Sequence, residues 1–209
     1  EIPQTRFNDD PRVKFLQVEG PVPADIQEMR SDKHTKRARL SEEIAKLGGG
    51  YAIPVDADDL LSNRLTSFIM EDDNRTGYCF QTGYTYDAKS GAIKLSTNFH
   101  RLCGTCGVVY VGPDELGAES KALRVLQGGH PTFVKRAERM GKKLTPVPFP
   151  AALYVTNSGE SVRDRIGITS TTQAVRRVKR YLQWQLLKLA GRDAAFNAIR
   201  DEFGISKRQ

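Results

Sequence analysis

"GGGYAIPVDADDLLSNRLTSFI", residues 48–69, runs from three glycines through a short apolar segment into three carboxylates and on into a second apolar segment. Asp56, Asp58 and Asp59 fall within four positions, where their charges repel one another. Two readings account for them. One is a divalent cation, since Mg²⁺ and Mn²⁺ take oxygen ligands and often bind through one or two carboxylates plus phosphates. The other is a helix beginning at Leu60 and capped by Asp58 or Asp59, favourable by about 1 kcal/mol. A cap accounts for one aspartate and leaves the others unexplained.

The flanks place this turn in a fold. "RVKFLQV" (12–18) alternates like a strand, and residues 25–47 carry Ile26, Met29, Leu40, Ile44 and Leu47 at helical spacing. The glycines at 48–50 end that helix, "YAIPV" reads as a buried strand, and "LLSNRLTSFI" reads as a helix. Strand, helix, strand, acidic turn, helix is a β-α-β order, which predicts parallel pairing. In such sheets ligands bind beyond the carboxyl ends of the strands, where Asp56 sits. In an extended Asp56-Ala57-Asp58 the two carboxylates share a side and could share a cation.

Farther along, "GYCFQTGYTYD" and "AIKLSTNFHR" flank "AKSG" as a hairpin, and "GVVYVG" is another strand. "HPTFVKRAERMG" reads as a helix closed by Gly141, "LTPVPFPAALYVT" as extended, and the segment from Thr172 as helical.

The 209 residues suit one domain, with 39% hydrophobic and 27% charged residues. No run approaches the roughly 20 apolar residues of a membrane span. The first residues, "EIPQTRFNDDPRV", lack the basic leader and apolar core of a secretory signal. Cys79, Cys103 and Cys106 are too few and too odd in number for a disulfide framework. The expectation is a cytoplasmic protein. A net charge of +7 favours acidic partners. Lys33, Lys36 and Arg37 share a helix face, as donor-phosphate ligands with Asp32 orienting one of them, or as a solvated surface.

With these residues in place, "DKHTKRARLSEEIAKLGGGYAIPVDADDLLSNRLTSFI" resembles the central stretch of GT-A-fold, family 2-like glycosyltransferases, which use nucleotide sugars. The similarity spans roughly residues 25–165 and is most specific at 48–62. It implies a mixed, mainly parallel α/β sheet flanked by helices, in a single domain with a helical C-terminal tail. Residues 1–70 would form the donor and cation half, 71–170 the acceptor half and 171–209 the tail. Asp56 and Asp58 would be the DxD motif, with Asp58 the direct metal ligand, Asp56 contacting donor ribose or metal water, and Asp59 a third metal-site carboxylate. The cofactor implied is Mn²⁺ or Mg²⁺, and the partners are a nucleotide-sugar donor and a glycan or lipid-linked acceptor.

Two departures stand out. Only "EIPQTRFNDDPRVKFL" precedes the similar stretch, where the family has a nucleotide-binding strand and helix. The position of the family's general base reads Gly129-His130. His130 could be that base or a third metal ligand, the reaction could instead be retaining, or His130 could be a helix-start residue with no catalytic task; Glu160 and Asp164 are the next candidates for the base.

Rival readings come from other features. His100, Cys103 and Cys106, with Cys79, form a conceivable Cys₃His zinc site, which would suit a basic nucleic-acid-binding module. A CxxC redox pair and a plain structural loop are the other readings of "CGTC". A cation-dependent nucleotidyl or phosphoryl transferase is a further alternative, although no Gly-rich phosphate loop is present. "QAVRRVKRYLQWQLLKLAG" (173–191) could lie on the inner face of an anionic membrane or pack on its own domain.

Overall fold

A computed structural model describes residues 8–117, 120–127, 129, 132–158 and 193–205. Helix α1 (Ile26–Lys46) begins at Asp25, whose side chain accepts the Glu28 N–H at 2.8 Å. The Glu28 carboxylate reaches back to the Ala24 N–H at 2.7 Å, so neighbouring amides are satisfied reciprocally. At the far end Gly48 takes φ +84°, and the N–H groups of Gly48 and Gly49 donate to Ala45 and Ile44 carbonyls. This is a Schellman ending, available because glycine enters the left-handed region without a Cβ clash.

Strands β1 (Gly50–Ala52) and β2 (Leu60–Leu61) bracket the acidic turn. Helix α2 (Leu65–Asp72) is followed by β3 (Gly77–Cys79), β4 (Gly83–Asp87), β5 (Ile93–Ser96) and β6 (Gly107–Val111). Then come α3 (Lys121–Gln127), α4 (Phe133–Arg139), β7 (Thr145–Pro146), β8 (Ala152–Thr156) and α5 (Asp193–Glu202).

The strands form two four-stranded sheets, ordered β1-β6-β3-β7 and β2-β8-β4-β5. The expected α/β class holds, but the mainly parallel sheet does not. Among the described residues only β3–β7 and β4–β8 are parallel, and the other four pairings are antiparallel. The β-α-β unit fails at its first strand. Residues 12–18 join no ladder, and Lys14 instead ion-pairs with Glu43 of α1. The neighbour of β1 is β6, whose run "GVVYV" is apolar enough to be covered on both faces.

The packing bears this out. Val109 and Val111 face a core with Ala122, Val125, Leu126 and Phe133 beneath α1, α3 and α4. Val108 faces the opposite core with Leu65, Tyr78, Phe80 and Phe99. The C-terminal helix closes the second sheet. Phe203 is buried, with its ring edge-on to Tyr84 of β4 at 5.8 Å, and Glu202 accepts hydrogen bonds from Ser62 and Arg64. Among the described residues no helix is long and apolar enough to cross a membrane. Residues 173–191, the basic amphipathic stretch, lie outside the described residues.

Candidate functional site

Residues 56–59 are neither extended nor a helix start. They close a β-turn in which the Asp59 N–H donates to the Asp56 carbonyl at 3.0 Å. Aspartate suits the first position of such a turn. The following helix starts at Leu65 with Arg64 before it, so neither Asp58 nor Asp59 caps it. The same-side arrangement expected of a strand is likewise replaced by a turn that points the three carboxylates to different surroundings.

Asp56 faces the basic side of α1. Lys33 Nζ lies 2.6 Å from Asp56 Oδ1, and Arg37 Nη2 lies 3.6 Å from the same oxygen. Lys36 pairs with Asp32 one turn back at 2.7 Å, so Asp32 does orient one member of the basic cluster. These four side chains and Leu40 form one wall of a pocket of about 540 Å³, and Ile53, Pro54, Val55 and Asp56 form the other. That volume falls within the roughly 300–1,000 Å³ of small-molecule sites.

Asp59 turns inward and is 7% exposed. Its Oδ2 accepts from the Cys103 thiol at 2.9 Å and from Thr105 Oγ1 at 2.7 Å. Oδ1 is buried with no hydrogen-bond partner. Burial raises the Asp59 pKa, and the Cys103 and Thr105 hydrogen bonds oppose the rise. Asp58 lies between these two and has no hydrogen-bond or ion-pair partner among the described residues.

The loop beneath the turn is "CGTC", and its importance escapes a sequence reading. Thr105 Oγ1 also accepts the Asp56 N–H at 2.9 Å, so one hydroxyl joins both ends of the acidic turn. A methyl group added at Gly104 would sit 2.0 Å from Asp56 Oδ2, so only glycine lets the carboxylate rest there. The one hint is composition, small residues between two cysteines. Nothing local connects it to residues 46 to 49 positions earlier.

The donor set fits a hard cation in part. Carboxylate oxygens are the right chemistry, Asp58 is uncommitted, and the sealed Oδ1 of Asp59 is a costly orphan that a cation or a ligand donor would relieve. Among the described residues no three acidic, thiol or imidazole groups gather around one point. Among the described residues a cation here would find at most two carboxylates, with phosphate or water oxygens completing its shell.

The cysteines have a different character. All three are buried free thiols. Burial pushes Cys106 up to about 12 and drives Cys103 higher still, with Asp59 adding to the rise. Among the described residues these cysteines and His100 form no group that could hold a metal. His100, on the short helix Phe99–Arg101, keeps a buried Nδ1 without a partner, and burial lowers its pKa. His130, Glu160 and Asp164 lie outside the described residues.

Compared with known proteins, the chain matches no family, no curated protein and no solved structure.

Proposed function

We propose that this protein is a cation-assisted glycosyltransferase that moves a sugar from a nucleotide-diphosphate donor to an acceptor hydroxyl. The observation that carries the reading is the pocket in which Lys33 and Arg37 face Asp56 and Lys36 lines the same wall, with Asp58 uncommitted two residues on from Asp56. A diphosphate brings two or more negative charges, which three carboxylates alone would repel. Basic side chains on one wall and a cation on the other make such a ligand acceptable. When bound, Mn²⁺ or Mg²⁺ would neutralise the leaving diphosphate.

The chain's own residues have separable tasks. Asp58 would hold the cation, with Asp56 as the second ligand. Asp59 serves through Thr105 and Cys103, which keep the turn in shape. Lys36 and Arg37 would take phosphate oxygens, and Leu40, Ile53 and Val55 offer an apolar surface for a ring. His130 is the proposed base for an inverting reaction. His130→Ala would then lower turnover about 10²-fold with donor affinity unchanged. A lipid-linked acceptor would give the basic stretch 173–191 a use at a membrane surface.

The test is thermal shift of the full chain against UDP, GDP and several nucleotide sugars, each with Mn²⁺ and with EDTA. The reading requires stabilisation by at least one nucleotide with Mn²⁺ and its loss in EDTA. Stabilisation by nucleotides equal in Mn²⁺ and EDTA would favour a binding protein without cation chemistry.

A further inference from the structure

One carboxylate oxygen of Asp56, Oδ1, is already held by a side chain of the same pocket. Oδ2 rests against the Gly104 backbone, while Oδ1 faces Lys33 and Arg37. The two basic residues differ in freedom. The Arg37 side chain is 13% exposed and packed in place, whereas that of Lys33 is 50% exposed on a flexible stem. We propose that Lys33 is a displaceable counter-ion that competes with the divalent cation for Asp56 Oδ1, and that an anionic ligand entering the pocket draws it away. The proposal rests on the cation-assisted reading above and adds its regulation.

The physical argument is an exchange of partners. In the free protein Asp56 is neutralised by Lys33, an ion pair exposed enough to be weak and easily exchanged. A cation arriving alone meets the ammonium already seated on Oδ1 and is repelled by it. An anion arriving alone must compete with Asp56 for the same ammonium. When both arrive, the cation takes Asp56 and Lys33 takes the phosphate, so no charge is left unpaired. Cation and anion then strengthen each other's binding, and linkage makes the factor equal in both directions. Lys36 does not share this role, because its partner is Asp32 on its own helix and not the acidic turn. Binding order follows as well. Free cation does not accumulate in an empty pocket, and the site becomes fully charged only with donor in place.

The experiment reads Mn²⁺ affinity by electron paramagnetic resonance of free Mn²⁺, on the full chain without any turnover assay. Wild type, Lys33→Gln, Lys36→Gln and Asp58→Asn are titrated with Mn²⁺ alone and with UDP, the solution Mn²⁺–UDP complex being subtracted from a protein-free titration. Lys33→Gln should bind Mn²⁺ alone about tenfold more tightly than wild type, and UDP should then strengthen its Mn²⁺ binding far less than it does in wild type. Lys36→Gln, which removes the same charge one turn away, should change Mn²⁺ affinity less than about threefold. Asp58→Asn should abolish saturable binding.

If Lys33→Gln leaves Mn²⁺ affinity unchanged while Asp58→Asn abolishes it, the competition is wrong and the cation reading stands. Equal tightening by Lys33→Gln and Lys36→Gln would reduce the effect to net charge and overturn the proposal. Absence of any Asp58-dependent Mn²⁺ binding would remove the cation reading and the competition together.

Discussion

Thr105 Oγ1 donates to Asp59 Oδ2 at 2.7 Å, across 46 residues of sequence and inside the core. Thr105 Oγ1 also accepts the Asp56 N–H, so the buried hydroxyl both donates and accepts. Thr105→Val keeps the shape and removes both bonds, leaving a part-buried amide and a buried carboxylate short of partners. The loss should be about 2–3 kcal/mol in urea denaturation. Thr105→Ser keeps the hydroxyl and should cost about 1 kcal/mol for its missing methyl. A valine variant as stable as the serine variant would mean that the hydroxyl does not hold the turn.

Asp58 offers the opposite contrast. It has no partner to lose, so Asp58→Asn should change stability by less than about 0.5 kcal/mol. The same substitution should remove most of the Mn²⁺-dependent binding of UDP, measured by calorimetry with and without EDTA. Undiminished binding in the presence of Mn²⁺ would exclude Asp58 as a cation ligand.

Glu43 sets a pH dependence. Lys14 and Lys46 hydrogen-bond its carboxylate and hold its pKa at about 2, below the ordinary 4.5. A carboxyl depressed in the folded state binds fewer protons there than in the unfolded chain. Its contribution is therefore complete above about pH 4.5 and is lost as the pH falls toward 2. Wild type should lose stability across that window more steeply than Glu43→Gln, as followed by urea midpoints at each pH. Parallel curves would remove Glu43 from the acid limb.

The C-terminal helix is tied to the acidic turn's flank by Glu202, through Ser62 Oγ at 2.5 Å and Arg64 Nη2 at 2.8 Å. Phe203 anchors it, 4% exposed against Tyr84. Phe203→Ala should cost about 3 kcal/mol or more in urea. It should also weaken nucleotide binding, because Ser62 to Arg64 follow the turn directly. A loss of stability with binding intact would show the helix to be a support for the second sheet alone.

Much of the local architecture was legible in the residue order. The helix expected over 25–47 is observed as Ile26–Lys46, with its aspartate cap and glycine ending. The hairpin around "AKSG", the strand "GVVYV" and the helix closed by Gly141 are also present. Each depends on side-chain periodicity, a cap or a glycine within a few residues, and such effects need no distant partner. The grouping of Asp32, Lys33, Lys36 and Arg37 was legible for the same reason, since helical spacing alone puts them on one face.

Other features depend on chain segments that meet only after folding. Whether Ala52 pairs parallel or antiparallel is decided by Val109, 57 positions away, and an apolar strand carries no mark of its partner's direction. The alternation at 12–18 suits a strand equally well, yet β6 takes the place beside β1, and Lys14 is drawn to Glu43. Three adjacent aspartates likewise say nothing of their separate surroundings. Lys33 reaches Asp56 from a preceding helix, Thr105 and Cys103 reach Asp59 from a later loop, and Asp58 is left between them. Sequence order determined the short-range elements because their energetics are local. Tertiary structure decided the sheet direction and the division of labour among the carboxylates, because burial and hydrogen-bond partners arrive from residues tens of positions away.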